Sequence, residues 1–486
     1  VAHVSSAYQI PDARTASTPG PRRARVVHWA ALVVILCGTF MVTLDFFIVN
    51  VAIPSLQQGL RANAGEIQLI VAGYGLTFAA GLITAGRLGD LYGRRRMFAL
   101  GLALFTLTSA VCGLAPDPGI LVLTRVLQGG AAALLAPQVL AMVGVIYTGE
   151  DRARAFTVYG LALGIGAVGG QLIGGLLIQA DVAGLGWRSC FLINIPIGVV
   201  ALYFTPRLLP ESRADGSRRL DLVGAALITL GMVAVVLPLI VGRELGWPGW
   251  TWLCLAASAP LLLVFTLYQR RLSRRGGSPL LNLSLFGERT FTVGLLTVLV
   301  FFAGIASFFL VLALYLQAGR GLSALAAGTT FTALGCGYLV ASLYAQRLTR
   351  RFGRNSLTIG ALVMALGLAL LFLTVAVVGA TESIALLTPA LLLDGAGMGM
   401  VLAPLSSLAL AGLPVQHAGA AAGVLATMQQ MANALGVAVI GVIFYGALGS
   451  GGAIDYPRAF DASLIYLVAL AVGVAALLRL LPRQRV

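Results

Sequence analysis

Three ionisable side chains lie inside long apolar runs: Asp45, Arg125 and Asp394. Asp45 falls about eight residues from the outer end of its run, roughly 12 Å deep at 1.5 Å per residue, and Arg125 about six residues, roughly 9 Å, from the outer end of its own. The two charges therefore share a depth. A charge in hydrocarbon costs about 2.5–3.5 kcal/mol even on the mildest scale, so such residues pair, face water or carry ions. A buried carboxylate that loses a cationic partner can take a proton, which is the chemistry of a proton-coupling switch. A fixed structural ion pair is the alternative. Asp394 stands mid-run between Pro389 and Pro404, ahead of Gly395, Gly397 and Gly399, which permit close packing and bending. A lone carboxylate there suits cation recognition or a second proton site, or else caps locally broken helix turns.

Uncharged polar groups add to this set. Gln429 and Asn433 are four apart, hence on one helix face, and with Gln430 they form a polar patch suited to substrate contact or to hydrogen bonding between helices. Tyr74, Gln128, Gln171 and Gln317 are further substrate-binding candidates. Gly166, Gly170 and Gly174 recur every four residues and form a small-residue ridge for tight helix packing. Gly86 to Arg96 holds five charges and three glycines in eleven residues, in a chain where 10% of residues are charged. In it Gly86, Gly89 and Gly93 allow close backbone approach, which argues against a plain solvated turn.

The elements that must position these groups are transmembrane helices. Mean hydropathy is +0.95 and 59% of residues are hydrophobic; a soluble chain would carry roughly 25% charge. Runs of about 20 apolar residues are long enough to span a bilayer. Fourteen are present, near 28–53, 66–86, 97–115, 119–144, 153–179, 188–208, 220–242, 250–269, 291–316, 324–346, 356–378, 384–410, 418–447 and 461–481. They are too long, and too apolar on every face, for barrel strands.

The net charge of +15 does not point to nucleic acid. With the N-terminus placed inside, 26 of the 32 basic residues, all arginine, fall on the cytoplasmic side. Five (Arg61, Arg188, Arg243, Arg320, Arg458) fall outside, and Arg125 lies within a span. This is the positive-inside rule, with both termini cytoplasmic. The absence of lysine suggests a GC-rich bacterial genome. Cys37, Cys112, Cys190, Cys254 and Cys336 show no paired spacing, so neither a disulfide framework nor a metal site is expected. No phosphate-binding glycine loop or Ser/His/Asp arrangement is evident, so no cofactor and no enzymatic activity are expected. His28 and His417 lie at span edges, and Trp29, Trp247, Trp250 and Trp252 fit an interfacial aromatic belt.

A weak internal repeat organises the chain. Leu88–Arg94 aligns with Leu348–Arg354 at an offset of 260, with Asp90 replaced by Arg350. Repeats of this kind mark secondary transporters, whose substrate path lies between two related bundles. The reading divides the chain into a disordered tail (1–26) that is not a signal peptide, a first six-helix bundle (27–210), two extra helices (211–270), a basic linker with a short interfacial helix (271–290), a second six-helix bundle (291–482) and a tail (483–486). The linker arginines would favour anionic lipid headgroups.

Several stretches together resemble one family. Gly86–Arg96 is similar to the loop signature between helices 2 and 3 of the major facilitator superfamily. Leu44–Pro54 resembles the first-helix motif of its drug exporters, and Leu123–Gly130 their fourth-helix motif. Trp187-Arg188 with Phe191, Asn194, Pro196 and Gly198 resembles the fifth-to-sixth-helix signature of the 14-helix drug:proton antiporter branch, and 279–291 its linker. Two departures stand out. Gly170-Gln171 replaces the Gly-Pro of the fifth-helix motif, and Gln429 stands where the family often has Arg.

The resemblance implies an all-α membrane protein of major facilitator fold, with two six-helix bundles plus two inserted helices. It sets helices 1 and 4 beside one central cavity, so that Arg125 would hold Asp45 ionised in one state. It gives Asp90 a gating role as a latch between bundles, with Gly86, Gly93 and Arg94. It places the glycine ridge of helix 5 across the bundle interface. The expected function is proton-coupled export of a lipophilic drug or antibiotic by alternating access, with Asp45, Arg125 and Asp394 in proton coupling and the proton gradient as energy source. Small-molecule substrate, protons and anionic lipids are the expected partners of a monomer in a bacterial inner membrane. The rival readings are a proton-coupled symporter importing a small solute and a non-transporting membrane receptor or scaffold.

Overall fold

Fourteen helices in the computed structural model are long and apolar enough to cross a membrane, and the described residues contain no strand. The structure describes residues 21–213, 221–242, 245–277, 279–280, 283–378, 383–409, 418–449 and 455–481. In the first bundle, α1 (Pro21–Leu60), α2 (Ala64–Tyr92), α3 (Arg94–Leu114), α4 (Pro118–Ile146) and α5 (Gly149–Ala180) precede a broken sixth span made of α6 (Ser189–Leu192) and α7 (Asn194–Leu208). Then come α8 (Leu222–Val241) and α9 (Gly249–Arg274). The second bundle is α10 (Arg289–Leu314), α11 (Ala324–Phe352), α12 (Asn355–Val378), α13 (Thr388–Ala409), α14 (Ala418–Ala447) and α15 (Tyr456–Leu480).

Short polar residues start these helices where the chain re-enters the apolar layer. Asn63 and Glu66 form a reciprocal capping box on α2. Asp117 caps α4 ahead of Pro118, Asp221 caps α8, Ser323 caps α11 and Asp455 caps α15. Some boundaries differ from expectation. The first helix starts at Pro21, inside the stretch read as tail, and runs through Pro54 to Leu60. A proline at the first position lacks only an N–H that would be unpaired there, and spanning helices tolerate interior proline. The eighth span continues past 270 to Arg274, its terminal arginines being long enough to reach the interface. Where a surface helix was expected in the linker, the described part is one 3₁₀ turn, Leu283–Gly287. Residues 1–20, 482–486 and His417 lie outside the described residues.

The repeat is visible in three dimensions. The second helix of each bundle ends at a glycine with positive φ, Gly93 (107°) and Gly353 (55°), whose N–H bonds back to Gly89 and Thr349. In each bundle an arginine opening the third helix donates to the carbonyl of the residue capping the sixth: Arg95 to Leu209, and Arg354 to Leu481. Positive charge at a helix C-terminus complements its dipole. The side chain of Arg350, expected to distinguish the two copies, lies outside the described side chains.

The two inserted helices have a defined seat. Val236 of α8 packs among Ala72 and Leu76 of α2 and Ala434 and Ala438 of α14, while Met232 meets Ala79 and Ala80. Thr229 donates to the Ala80 carbonyl at 3.3 Å. Thus α8 covers the seam where α2 of one bundle meets α14 of the other. At its base, Asp221 accepts hydrogen bonds from Tyr268 and Gln269 of α9, clasping the hairpin.

Candidate functional site

Two adjacent features form the site: a cavity between the bundles and a sealed polar cluster behind its wall. The cavity, about 940 Å³ of empty space including its open mouth, lies between the two bundles. On α1 its lining runs Gly38, Thr39, Val42, Thr43, Phe46 and Phe47. That spacing is one face of a helix. The second bundle contributes Phe302, Ile305 and Phe309 from α10, Leu334 and Tyr338 from α11, and Gln429, Gln430 and Asn433 from α14.

Asp45 sits off that face and points into the first bundle, where it is fully buried. It pairs with Arg125, and its other oxygen accepts from Gln128 Nε2 at 3.0 Å and Asn194 Nδ2 at 3.1 Å. Arg125 also donates to the Ile70 carbonyl at 3.2 Å and to Gln128 Oε1 at 2.8 Å, and its guanidinium lies 4.2 Å from the centre of the Tyr74 ring. Ser109 Oγ accepts from both Gln128, at 2.7 Å, and Asn194, at 3.0 Å. Five elements thus meet in one cluster around this carboxylate: α1, α2, α3, α4 and α7. The pairing expected from shared depth is present. Sequence reasoning gave Asn194 and Ser109 no part in it, although a polar residue mid-span in an apolar helix was the available signal.

The other candidates divide. Gln429, Gln430 and Asn433 line the cavity. Gln128 and Tyr74 do not; they belong to the Asp45 cluster, and the Tyr74 hydroxyl donates to the Val42 carbonyl. Gln171 does not either. It is fully buried and donates to the Phe47 carbonyl at 3.2 Å, because the amide that replaces proline there must bond to backbone in an apolar setting. Gln317 lies in a π-helical turn, Tyr315–Gly319, that ends the ninth span away from the cavity. Asp394 is buried one turn beyond Met398, where α13 crosses α12 so closely that a Cβ on Gly367 would lie 2.5 Å from the Asp394 nitrogen. It is not among the wall residues of the cavity.

The glycine ridge also faces elsewhere than expected. Gly166, Gly170 and Gly174 meet Thr43, Leu44 and Ile48 of α1, within the first bundle. Contact between bundles falls to the neighbouring stripe of α5. A Cβ on Gly175 would lie 2.6 Å from the Ala324 carbonyl oxygen of α11, and one on Gly328 would lie 2.6 Å from the Gln171 carbonyl oxygen. A 3.6-residue repeat tells which residues share a face but not which neighbour they meet. Nearer the cavity, the Tyr338 hydroxyl donates to the Gly160 carbonyl at 2.7 Å.

In the loop at 86–96, Asp90 accepts from Arg94 at 3.0 Å, a pair inside the loop itself. Sequence reasoning did not include Glu211, which follows α7. Its carboxylate accepts from the Arg95 backbone N–H at 3.0 Å and lies 3.7 Å from both the Arg95 and Arg96 side chains. It serves as an anion at the positive N-terminus of α3. A Cβ on Gly93 would lie 2.6 Å from Glu211 Oε1, and the φ of 107° is one that L side chains rarely adopt. Gly93→Ala is expected to cost about 1–3 kcal/mol in backbone strain. A fall in the unfolding temperature of the purified protein would show it, whereas an unchanged temperature would count against this packing.

A family model described as the Major Facilitator Superfamily matches residues 35–437. The chain belongs to the Major Facilitator Superfamily. It is 42% identical over 437 residues to a probable actinorhodin transporter of Streptomyces coelicolor, covering 90% of this chain and 75% of that protein. It is 39% identical over 436 residues to puromycin resistance protein pur8 of Streptomyces alboniger, covering 88% and 83%. It is also 32% identical over 415 residues to multidrug resistance protein Stp of Mycobacterium tuberculosis, covering 84% and 74%. A partially occluded, inward-open structure of the xylose transporter XylE from E. coli shares the fold, with a TM-score of 0.62 at 15% identity over 92% of this chain and 98% of that one. The chain is a many-span transporter of the superfamily's drug-exporter branch, in a cell membrane, and not an enzyme.

Proposed function

We propose that this chain exports a lipophilic drug or antibiotic in exchange for protons. The observation that carries the reading is the placement of the Asp45–Arg125 pair directly behind the α1 wall of the cavity, with Phe46 and Phe47 on the cavity side of the same turn. In the state seen here the pair is closed to water. Protonating Asp45 in place would strand a buried guanidinium, which is strongly unfavourable. Protonation therefore requires α1 and α4 to move apart or Arg125 to find another partner. Proton binding and rearrangement of the cavity wall then become one event, which is what coupling needs. The proton gradient supplies the energy, and rocking of the two bundles moves the cavity between sides.

Asp394, inside the second bundle, is a candidate second proton site. Asp90, with Gly86, Gly93 and Arg94, is a candidate latch between bundles in another state. The arginine-rich face, with both termini, is assigned to the cytoplasm of a bacterial inner membrane, where it would meet anionic lipid. A monomer contains the complete cavity.

The test is flux in proteoliposomes holding the purified full chain. An imposed pH gradient should drive puromycin against its own concentration gradient while protons move the opposite way, read with a luminal pH dye. Puromycin and protons moving in the same direction would favour the symporter. No gradient-dependent flux of puromycin or of a panel of lipophilic antibiotics would sink the export reading.

A further inference from the structure

Among the described residues, the cavity wall carries no Asp, Glu, Arg or His. The buried acids that could have served a cationic ligand are placed elsewhere. Asp45 is consumed by Arg125, Gln128 and Asn194, and Asp394 lies beyond the wall where α13 crosses α12. What the wall does present is aromatic surface from both bundles. Phe46, Phe47 and Phe78 come from the first, and Phe302, Phe309 and Tyr338 from the second. A cation entering this void would meet ring faces and neutral amides and hydroxyls, with no counter-charge. Their attraction is weak beside the cost of desolvating a charge. A flat, uncharged ring system would replace poorly held water with stacking and dispersion.

One group in the wall is unfinished. Gln429, Gln430 and Asn433 form the polar end of the cavity on α14. Gln429 Nε2 donates to Ser406 Oγ at 3.4 Å, and Asn433 Nδ2 donates to Gln430 Oε1 at 3.2 Å. The second bond fixes the orientation of the Asn433 amide. Its oxygen is then left buried, with no hydrogen-bond partner among the described residues, on a side chain 8% exposed. A buried acceptor without a donor is costly, and each one in a native structure calls for an explanation. Asn433 is a wall residue, so a ligand N–H or O–H reaching it from the cavity, with a side-chain shift that uncovers the oxygen, would supply the missing donor.

We propose that the central cavity selects flat, uncharged aromatic molecules carrying an N–H or O–H donor, and that Asn433 Oδ1 is the acceptor that reads that donor. The proposal rests on the cavity being the substrate site of the exporter, and it deepens that reading by naming the substrate class. It makes Asn433 a specificity residue. A site built to hydrogen-bond a ligand discriminates sharply against the analogue that lacks the group, because its own polar atom is then left unpaired.

Equilibrium binding to the purified full chain tests this, with no gradient present. Three fluorescent probes suffice: 2-phenylindole, its N-methyl derivative and ethidium, a permanent cation. The first should bind about tenfold more tightly than the second, the ratio of one net hydrogen bond. Ethidium should bind most weakly. Asn433→Leu, or Asn433→Ala should the leucine variant fail to fold, is expected to erase the gap between the indoles while both still bind. Gln429→Glu is expected to raise ethidium affinity about tenfold by placing a carboxylate in the wall. Equal binding of the two indoles to the natural chain, a gap that survives at Asn433→Ala, ethidium binding as tightly as 2-phenylindole, or no binding of either indole would each overturn the proposal. Because the readout is binding without flux, these failures are distinguishable from failure of proton-coupled export.

Discussion

Asp45→Asn is expected to abolish gradient-driven efflux and, at the same time, to destabilise the protein. The two effects have different causes and can be separated. The substitution leaves Arg125 as a buried cation that retains the Ile70 carbonyl, Gln128 and the Tyr74 ring but has lost its anion. Breaking one side of a buried pair costs about 3–5 kcal/mol. A lower unfolding temperature alone would therefore fit a purely structural ion pair. Asp45→Asn combined with Arg125→Leu removes both charges and is expected to recover most of that stability, since replacing both partners by uncharged groups is often close to neutral. Coupling should not recover. The double variant should fold, exchange substrate across the membrane by counterflow, and fail to respond to an imposed pH gradient. Gradient-driven efflux at the natural level in the folded double variant would show that the pair is structural and that the coupling proton binds elsewhere, with Asp394 the next residue to replace.

The sequence made the existence of this pair legible for a physical reason. Charges are so costly in hydrocarbon that Asp45 and Arg125 had to find partners, and helix rise alone placed them at one depth. The duplicated turns at Gly93 and Gly353 were legible for a similar reason, since both carry a backbone conformation that favours glycine. Side-chain direction across the bundle was not. Asp45 and Phe46 are neighbours in sequence, yet one faces α4 and the other the cavity, because successive residues on a helix are rotated by about 100°. Polarity suggested Gln128, Gln171 and Gln317 as ligand groups. In the fold Gln128 is spent on the Asp45 cluster, Gln171 gives its N–H to the Phe47 carbonyl, and Gln317 lies away from the cavity. The aromatic wall carried no signal of its own, for phenylalanine is ordinary in a spanning helix and becomes a binding surface only when two bundles bring several together. Glu211 was hidden by distance, since its partners at Arg95 and Arg96 lie more than a hundred residues away.

The inserted hairpin bears on how the bundles move. The slot between α2 and α14 is covered by α8, whose polar tie, from Thr229 to Ala80, reaches α2 only. Toward α14 the described contacts are apolar, with Val236 against Ala434 and Ala438. Such a surface can slide, so rocking at this seam need break no hydrogen bond between α8 and α14. The opposite seam is different in kind. There α5 and α11 touch backbone to backbone at Gly175 and Gly328, while Phe47 of the first bundle packs 4.7 Å from Phe309, which stacks on Phe331 at 5.3 Å.

Those two glycines are therefore expected to be among the least replaceable positions in the chain. A methyl group on Gly175 would lie 2.6 Å from the Ala324 carbonyl oxygen and 2.8 Å from Leu325 Cα, and one on Gly328 would lie 2.6 Å from the Gln171 carbonyl oxygen. The obstacles are backbone atoms, so no side-chain rotation relieves them; the helices must separate. Packed interiors do not deform continuously, so separation at this seam removes the closed state rather than loosening it. Gly175→Ala and Gly328→Val should each reduce efflux at least about tenfold, the equivalent of 1.4 kcal/mol against the closed state. They should do so with little loss of binding, because neither residue lines the cavity. Gly441→Ala is the control, since a methyl group there meets nothing within 4 Å, and it should leave efflux unchanged. In a chain whose five native cysteines are replaced by alanine, a cysteine introduced at Ala324 gives the structural readout. It should be labelled more slowly by a membrane-impermeant maleimide with glycine at 328 than in Gly328→Val. Unaltered labelling together with natural efflux in both glycine variants would mean that α5 and α11 need not meet at these residues during transport.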